Sequence, residues 1–176
     1  MNNKLITRNI GRFLVLALLQ ILVFNNIYLG GYINPCVYVL FIAMLPTSMG
    51  YIAMMIVAFA TGLCIDVSTN ILGLHAFACT FVAFIRGIWL DKIIMRDNDE
   101  PIETPSIYGG SYQQFLVYLL LVFLIFHFVY YLLLIFSLRD LPKILIISLI
   151  SAVISWLLAI LYQTLFLRKN KRNELR

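Results

Sequence analysis

The chain has 176 residues, 62% of them hydrophobic and 12% charged, with a net charge of +5 and a mean hydropathy of +0.96. A soluble globular domain carries about 45–50% apolar and about 25% charged residues, so composition excludes a soluble enzyme or binding domain, and the length leaves no room for two membrane domains. The basic excess does not indicate nucleic acid, because Lys and Arg flank long apolar blocks, where membrane orientation accounts for them.

The opening "MNNKLITRNIGR" leads into an apolar run that resembles a secretory signal. That run ends in "NNIYLGGYINP" with no small-x-small cleavage pattern, so it reads as a retained first span over about residues 12–29. The next apolar piece, 33–47, stops at "PTSMG", because Pro46 has no N–H to donate and Gly50 loosens a helix. Its 15 residues make roughly 22 Å of helix. That length fits a locally thinned bilayer or one arm of a re-entrant hairpin. Further spans are expected over about 50–65, 71–90, 115–136 and 143–167, with a polar loop at 91–114 and a basic tail at 169–176. The expected fold class is an all-α integral membrane protein, a single six-helix bundle over 1–168.

Lys and Arg counts set the orientation. With six crossings and both termini cytoplasmic, Lys4, Arg8, Arg12, Arg86, Lys92, Arg96, Arg168, Lys169, Lys171, Arg172 and Arg176 lie inside, and Arg139 with Lys143 outside. Asp66 then sits near the outer face, between two long stretches free of charge. Two readings are open for it. It caps the following helix, as Ser68, Thr69 or Asn70 also could, or it joins a polar cluster with His75, Arg139 or Lys143.

On the fourth span Gly73, Ala76, Thr80, Ala83 and Gly87 share one stripe at helical spacing. Small residues let a second helix approach closely. The stripe therefore serves packing within the chain or docking of another protein's membrane helix. Ser148, Ser151, Ser155 and Ala159 repeat the pattern on the last span, and Ala58 with Gly62 shorten it on the third. Beside the first stripe run His75, Cys79, Val82 and Arg86, whose polar ends lie about 16 Å apart. Arg86 is expected to snorkel to headgroups or to bind a partner or lipid. His127 is expected to share a hydrogen bond with a neighbouring Tyr, Ser or Thr. Cys36, Cys64 and Cys79 lack metal-ligand spacing and read as packing residues, so no metal or cofactor is expected. No paired carboxylates, HExxH or nucleophile–base arrangement points to an enzyme.

"INPCVYVLFIAMLP" followed by "GLCIDVSTNILGLHAFACTFVAFIR" resembles the rod shape-determining protein MreD family. The shared signature, G-x-x-x-D leading into a polar turn and a Gly, falls on Gly62, Asp66, Asn70 and Gly73, and continues with His75, Ala83, Phe84 and Arg86. The resemblance covers about Ile33 to Arg86. It implies a non-catalytic protein of the bacterial inner membrane, similar in fold to the substrate-binding subunits of energy-coupling-factor transporters. It also implies work in cell elongation and peptidoglycan synthesis beside MreC, MreB, a RodA-type glycosyltransferase and a penicillin-binding transpeptidase. The expected contact is a membrane helix of MreC, or of a second MreD, against a small-residue stripe. The competing expectation is a vitamin-binding transporter subunit, with an outward cavity lined in part by Tyr28, Tyr32, Asn34 and Asp66.

Overall fold

A computed structural model describes residues 3–26, 33–71, 73–93, 104–107 and 111–173. Among these every regular element is a helix, with no β-strand. The helices are α1 (Asn3–Leu22), α2 (Val39–Ala43), α3 (Tyr51–Thr69), α4 (Leu74–Ile93), α5 (Tyr112–Ile135) and α6 (Leu141–Asn173). Four stretches are long and apolar enough to cross a membrane: Leu5–Asn26, Tyr51–Thr69, Tyr112–Ile135 and Leu138–Phe166. The apolar part of α4, Leu74–Gly87, is shorter.

The distribution of side chains is inverted relative to a soluble protein. Ile10, Leu14 and Leu18 on α1, Ile52, Ile56 and Phe59 on α3, and Leu149, Leu157 and Leu161 on α6 are exposed. Gln20, Asp66, His75, Arg86, His127, Ser151 and Ser155 are buried. An apolar solvent demands this arrangement, since it wets the aliphatic surface without cost and leaves polar groups to find partners inside.

Two expected boundaries shift. The first helix begins at Asn3, nine residues before the expected start, and its apolar stretch begins at Leu5. Its far end is closed by Asn26, whose Nδ2 donates to the Ile21 and Leu22 carbonyls at 3.1 and 3.0 Å. The last helix continues to Asn173. The end of the first expected span (27–29), most of the 91–114 loop and the tail end (174–176) lie outside the described residues.

The larger correction concerns 33–47. It is not a spanning helix. Five residues, Val39–Ala43, form α2, and every residue from Pro35 to Leu45 is buried. The segment runs through the middle of the bundle, from Asn34 beside Tyr131 to Leu45 beside Arg86. Non-helical backbone at membrane depth is tolerated where protein surrounds it and satisfies its polar groups. Each end of this segment meets that condition through side chains from other helices.

Candidate functional site

The third and fourth helices form an antiparallel hairpin that uses the whole signature. Asn70 ends α3 in the left-handed region (φ 57°), and its N–H returns to the Asp66 carbonyl. Asn is one of few non-glycine residues that tolerate that conformation. Gly73 follows at φ +95°, where an L side chain is strained. The fully buried Asp66 carboxylate then reaches across the turn. Its Oδ2 accepts the N–H of Gly73 at 3.0 Å and of Ala76 at 2.9 Å, and its Oδ1 accepts the N–H of His75 at 2.9 Å. The first turn of a helix leaves its N–H groups without intrahelical partners and positively polarised. One carboxylate, supplied from the preceding helix, satisfies three of them. The capping reading of Asp66 therefore holds, and His75 joins it through its backbone N–H.

One turn before Asp66, Gly62 brings the two helices together. A Cβ there would lie 2.6 Å from the His75 carbonyl carbon and closer still to the Ala76 backbone. At the other end of the hairpin, a Cβ on Gly87 would enter the ring of Tyr51. Ala76 and Ala83 are buried, and half-buried Thr80 donates its hydroxyl to the Ala76 carbonyl at 2.7 Å. Ala76 and Gly87 of the α4 stripe thus pack against α3 of the same chain, as the internal-packing reading expects. The stripe of α6 is also internal. Ser151 pairs with Tyr131 of α5 at 3.0 Å, and Ser155 with His127 at 3.2 Å.

His75 and Arg86 face the buried segment. His75 Nδ1 lies 2.8 Å from the Tyr38 hydroxyl, and its ring packs 4.7 Å from that of Tyr130. Cys79 Sγ approaches the same hydroxyl at 3.6 Å. Arg86 does not snorkel. It is 2% exposed, donates through Nε to the Tyr118 hydroxyl at 2.8 Å, and contacts the Leu45 carbonyl and Met54 sulfur. The reason lies at the C-terminus of α2, where the carbonyls of residues 43, 44 and 45 need donors. Tyr118 supplies Ala43 at 3.0 Å, Arg12 supplies Met44 at 3.2 Å, and Arg86 supplies Leu45. A guanidinium is suited to this task because it offers five donors and stays protonated.

The N-terminal end of the segment is held in the same manner. Gln20 donates to the Pro35 carbonyl and accepts the Val37 N–H, both at 3.0 Å. Ser155 accepts the Cys36 N–H at 2.9 Å, and Tyr131 the Asn34 N–H at 3.1 Å. His127 Nδ1 donates to the Phe123 carbonyl at 2.8 Å, and its Nε2 lies 3.2 Å from the Ser155 hydroxyl, which itself donates to the Ser151 carbonyl at 2.8 Å. Sequence reasoning missed Arg12 and Gln20 as members of this set. The available signal was their shared face on the first helix with Asn9, polar positions recurring on one side of an otherwise apolar run.

Arg86→Lys is expected to cost about 1–3 kcal/mol, because one ammonium cannot serve Tyr118 and Leu45 together. Tyr118→Phe should cost about 1 kcal/mol through the lost Ala43 bond. Thermal melting in detergent, followed by size-exclusion chromatography, reads both. Melting of Arg86→Lys at the wild-type temperature would contradict the assignment.

At the Asp66 end of the bundle lies a cavity of about 750 Å³, walled by Asn25, Asn34, Tyr130, Tyr131, Asp140 and Lys143 among others. It includes Asn34 from the expected cavity set; Asp66 is buried in the hairpin and is not among its lining, and Tyr28 and Tyr32 lie outside the described residues. Its size falls in the roughly 300–1,000 Å³ range of small-molecule sites. Among the described residues no group of His, Cys, Asp and Glu is placed to hold a metal ion. Cys36 and Cys79 are buried and Cys64 is exposed. No family model, no curated protein and no solved structure matches the chain.

Proposed function

We propose that the chain is a non-catalytic scaffold of the MreD type in the bacterial inner membrane, binding MreC within the cell-elongation machinery. The observation that carries this reading is the use made of the signature residues. Gly62, Asp66, Asn70, Gly73 and Ala76 build one hairpin, and the carboxylate that would be the natural candidate for chemistry accepts three backbone N–H bonds. In this reading α4 and the buried α2 segment complete six crossings, in a bundle similar to the substrate-binding subunits of energy-coupling-factor transporters. Both termini are cytoplasmic, so the Asp66 end faces outward. MreC, or a second MreD, then contacts the exposed helix faces, since both small-residue stripes are taken up internally. MreB, the RodA-type glycosyltransferase and the transpeptidase are reached through that complex.

The test is co-purification. Tagged full-length chain, expressed with MreC and extracted in mild detergent, should elute with MreC in a fixed ratio. Elution without MreC in every detergent that keeps the chain monodisperse would overturn the reading.

The cavity at the Asp66 end favours a second reading, a substrate-binding transporter subunit. Its aromatic pair Tyr130 and Tyr131, with Asn34, Asp140 and Lys143, offers both stacking and polar contacts to a vitamin-sized molecule. Mass spectrometry of a solvent extract from purified protein decides between them. A metabolite retained near one per chain would replace the scaffold reading, and its absence from protein that carries MreC would sustain it.

A further inference from the structure

The cavity at the Asp66 end stops where the buried segment begins. Ile33 and Asn34, the last residues before that segment, line the cavity beside Tyr130 and Tyr131. The Tyr131 hydroxyl accepts the Asn34 N–H at 3.1 Å and pairs with Ser151 at 3.0 Å, which ties this floor to α6. Two residues further on the surroundings change. From Cys36 to Leu45 no residue is more than 5% exposed, and Cys36, Tyr38, Val39, Leu40, Ile42 and Ala43 are not exposed at all. A residue without exposure touches neither solvent nor an internal space that admits water. Rings close around the segment: Tyr38 stands edge-on to Phe126 at 5.9 Å and to His75 at 5.8 Å, and Phe41 packs 5.4 Å from Phe13.

Polar side chains inside a membrane bundle commonly mark a path for ions or protons. Gln20, His75, His127, Ser151 and Ser155 are such groups, yet each has zero exposure, so no water-sized space adjoins any of them. Near the other end of the segment, the void beside Arg86 and Tyr118 measures about 10 Å³, room for roughly one water. Passage would also have to break the bonds that fix the segment at both ends, from Gln20 and Ser155 to residues 35–37 and from Arg12, Arg86 and Tyr118 to residues 43–45.

We infer that the cavity is a blind receptacle, which exchanges its contents with the face at the Asp66 end alone, while segment 35–45 seals the bundle against ions and solutes. This goes beyond both readings of the chain. A scaffold would carry the cavity as a one-sided binding site, and a transporter subunit could not release its cargo across the membrane through its own interior.

The native cysteines provide the test. Cys36 lies in the segment and Cys79 approaches its Tyr38 hydroxyl at 3.6 Å, both buried, whereas Cys64 is exposed and is replaced by Ala. The full chain in that background is treated with a membrane-impermeant methanethiosulfonate in spheroplasts and in inverted vesicles, and its mass is read. The folded protein should take up no label from either face, and two labels once denatured. Asn34→Cys, or Ile33→Cys where the first variant does not insert, should take up one label from one face only. Liposomes holding the wild-type chain should leak protons and potassium no faster than empty ones. Labelling of Cys36 in the folded protein, labelling of the floor variant from both faces or from neither, or a leak that rises with the amount of protein overturns the proposal. Labelling of the floor variant from the cytoplasmic face alone would uphold the blind cavity and reverse the proposed orientation, so the two failures are distinguishable.

Discussion

Asp66→Ala is expected to lower both the accumulation and the melting temperature of the protein, at a cost of about 2–4 kcal/mol. The substitution strands the N–H groups of Gly73, His75 and Ala76 at the start of α4, two of those bonds being fully buried. Water cannot replace the carboxylate in that position, which is why the loss exceeds that of an ordinary exposed cap. Asp66→Asn should recover part of the stability and no more. An amide has one accepting oxygen, so aiming it at Gly73 and Ala76 turns the NH2 towards the His75 N–H. The ordering wild type, then Asn, then Ala, read by thermal melting in detergent, is the expected result. An Asn variant no more stable than Ala would show that the hydrogen bonds are not what the carboxylate contributes. On the proposed scaffold reading, MreC retention should fall in the same order, as a consequence of the hairpin and not of direct contact.

Gly62→Ala should be more damaging than its single added carbon implies, at about 2 kcal/mol or more. The new Cβ meets the backbone of His75 and Ala76, which cannot rotate away as a side chain could. Relief requires α3 and α4 to separate, and separation lengthens the Asp66 bonds. The two substitutions should therefore be non-additive, since each damages the same hairpin. Gly11→Ala is the matched control. A Cβ at Gly11, within α1, meets nothing within 4 Å. There the substitution should stabilise by about 0.5–1 kcal/mol through helix propensity alone. Equal effects at Gly62 and Gly11 would remove the close-contact argument.

The signature hairpin was largely legible in advance, because its demands are local. Asn70 and Gly73 sit in backbone conformations that few other residues tolerate, and Asp66 precedes the N–H groups it accepts from by less than three helical turns. Helix capping is a short-range interaction, so residue type and spacing report it. The roles of Arg86 and of segment 33–47 were not legible in that way. A basic residue near the end of an apolar helix has the same sequence signature whether it reaches to headgroups or turns inward to a carbonyl. What decides is the arrival of Leu45 beside it, from a segment 41 residues away. The short apolar piece likewise carries no mark that other helices will surround it. Its backbone is satisfied by Gln20 of α1, Tyr118 and Tyr131 of α5 and Ser155 of α6.

The same division separates the small-residue stripes from their occupants. Periodicity shows that Gly73, Ala76, Thr80, Ala83 and Gly87 share a face and that the face admits a close neighbour. It carries no identity for that neighbour, and packing sets Ala76 and Gly87 against α3. Amino-acid order alone thus determined the solvent this chain requires, its helical class and the place of its turn between residues 62 and 76, all properties of composition or of contacts within a few helical turns. Tertiary structure alone decided that 35–45 is an internal thread, that Arg12 and Arg86 close its end, and that a cavity remains. Those outcomes depend on which distant backbone groups lack partners once the helices assemble, and hydropathy and spacing do not encode that need.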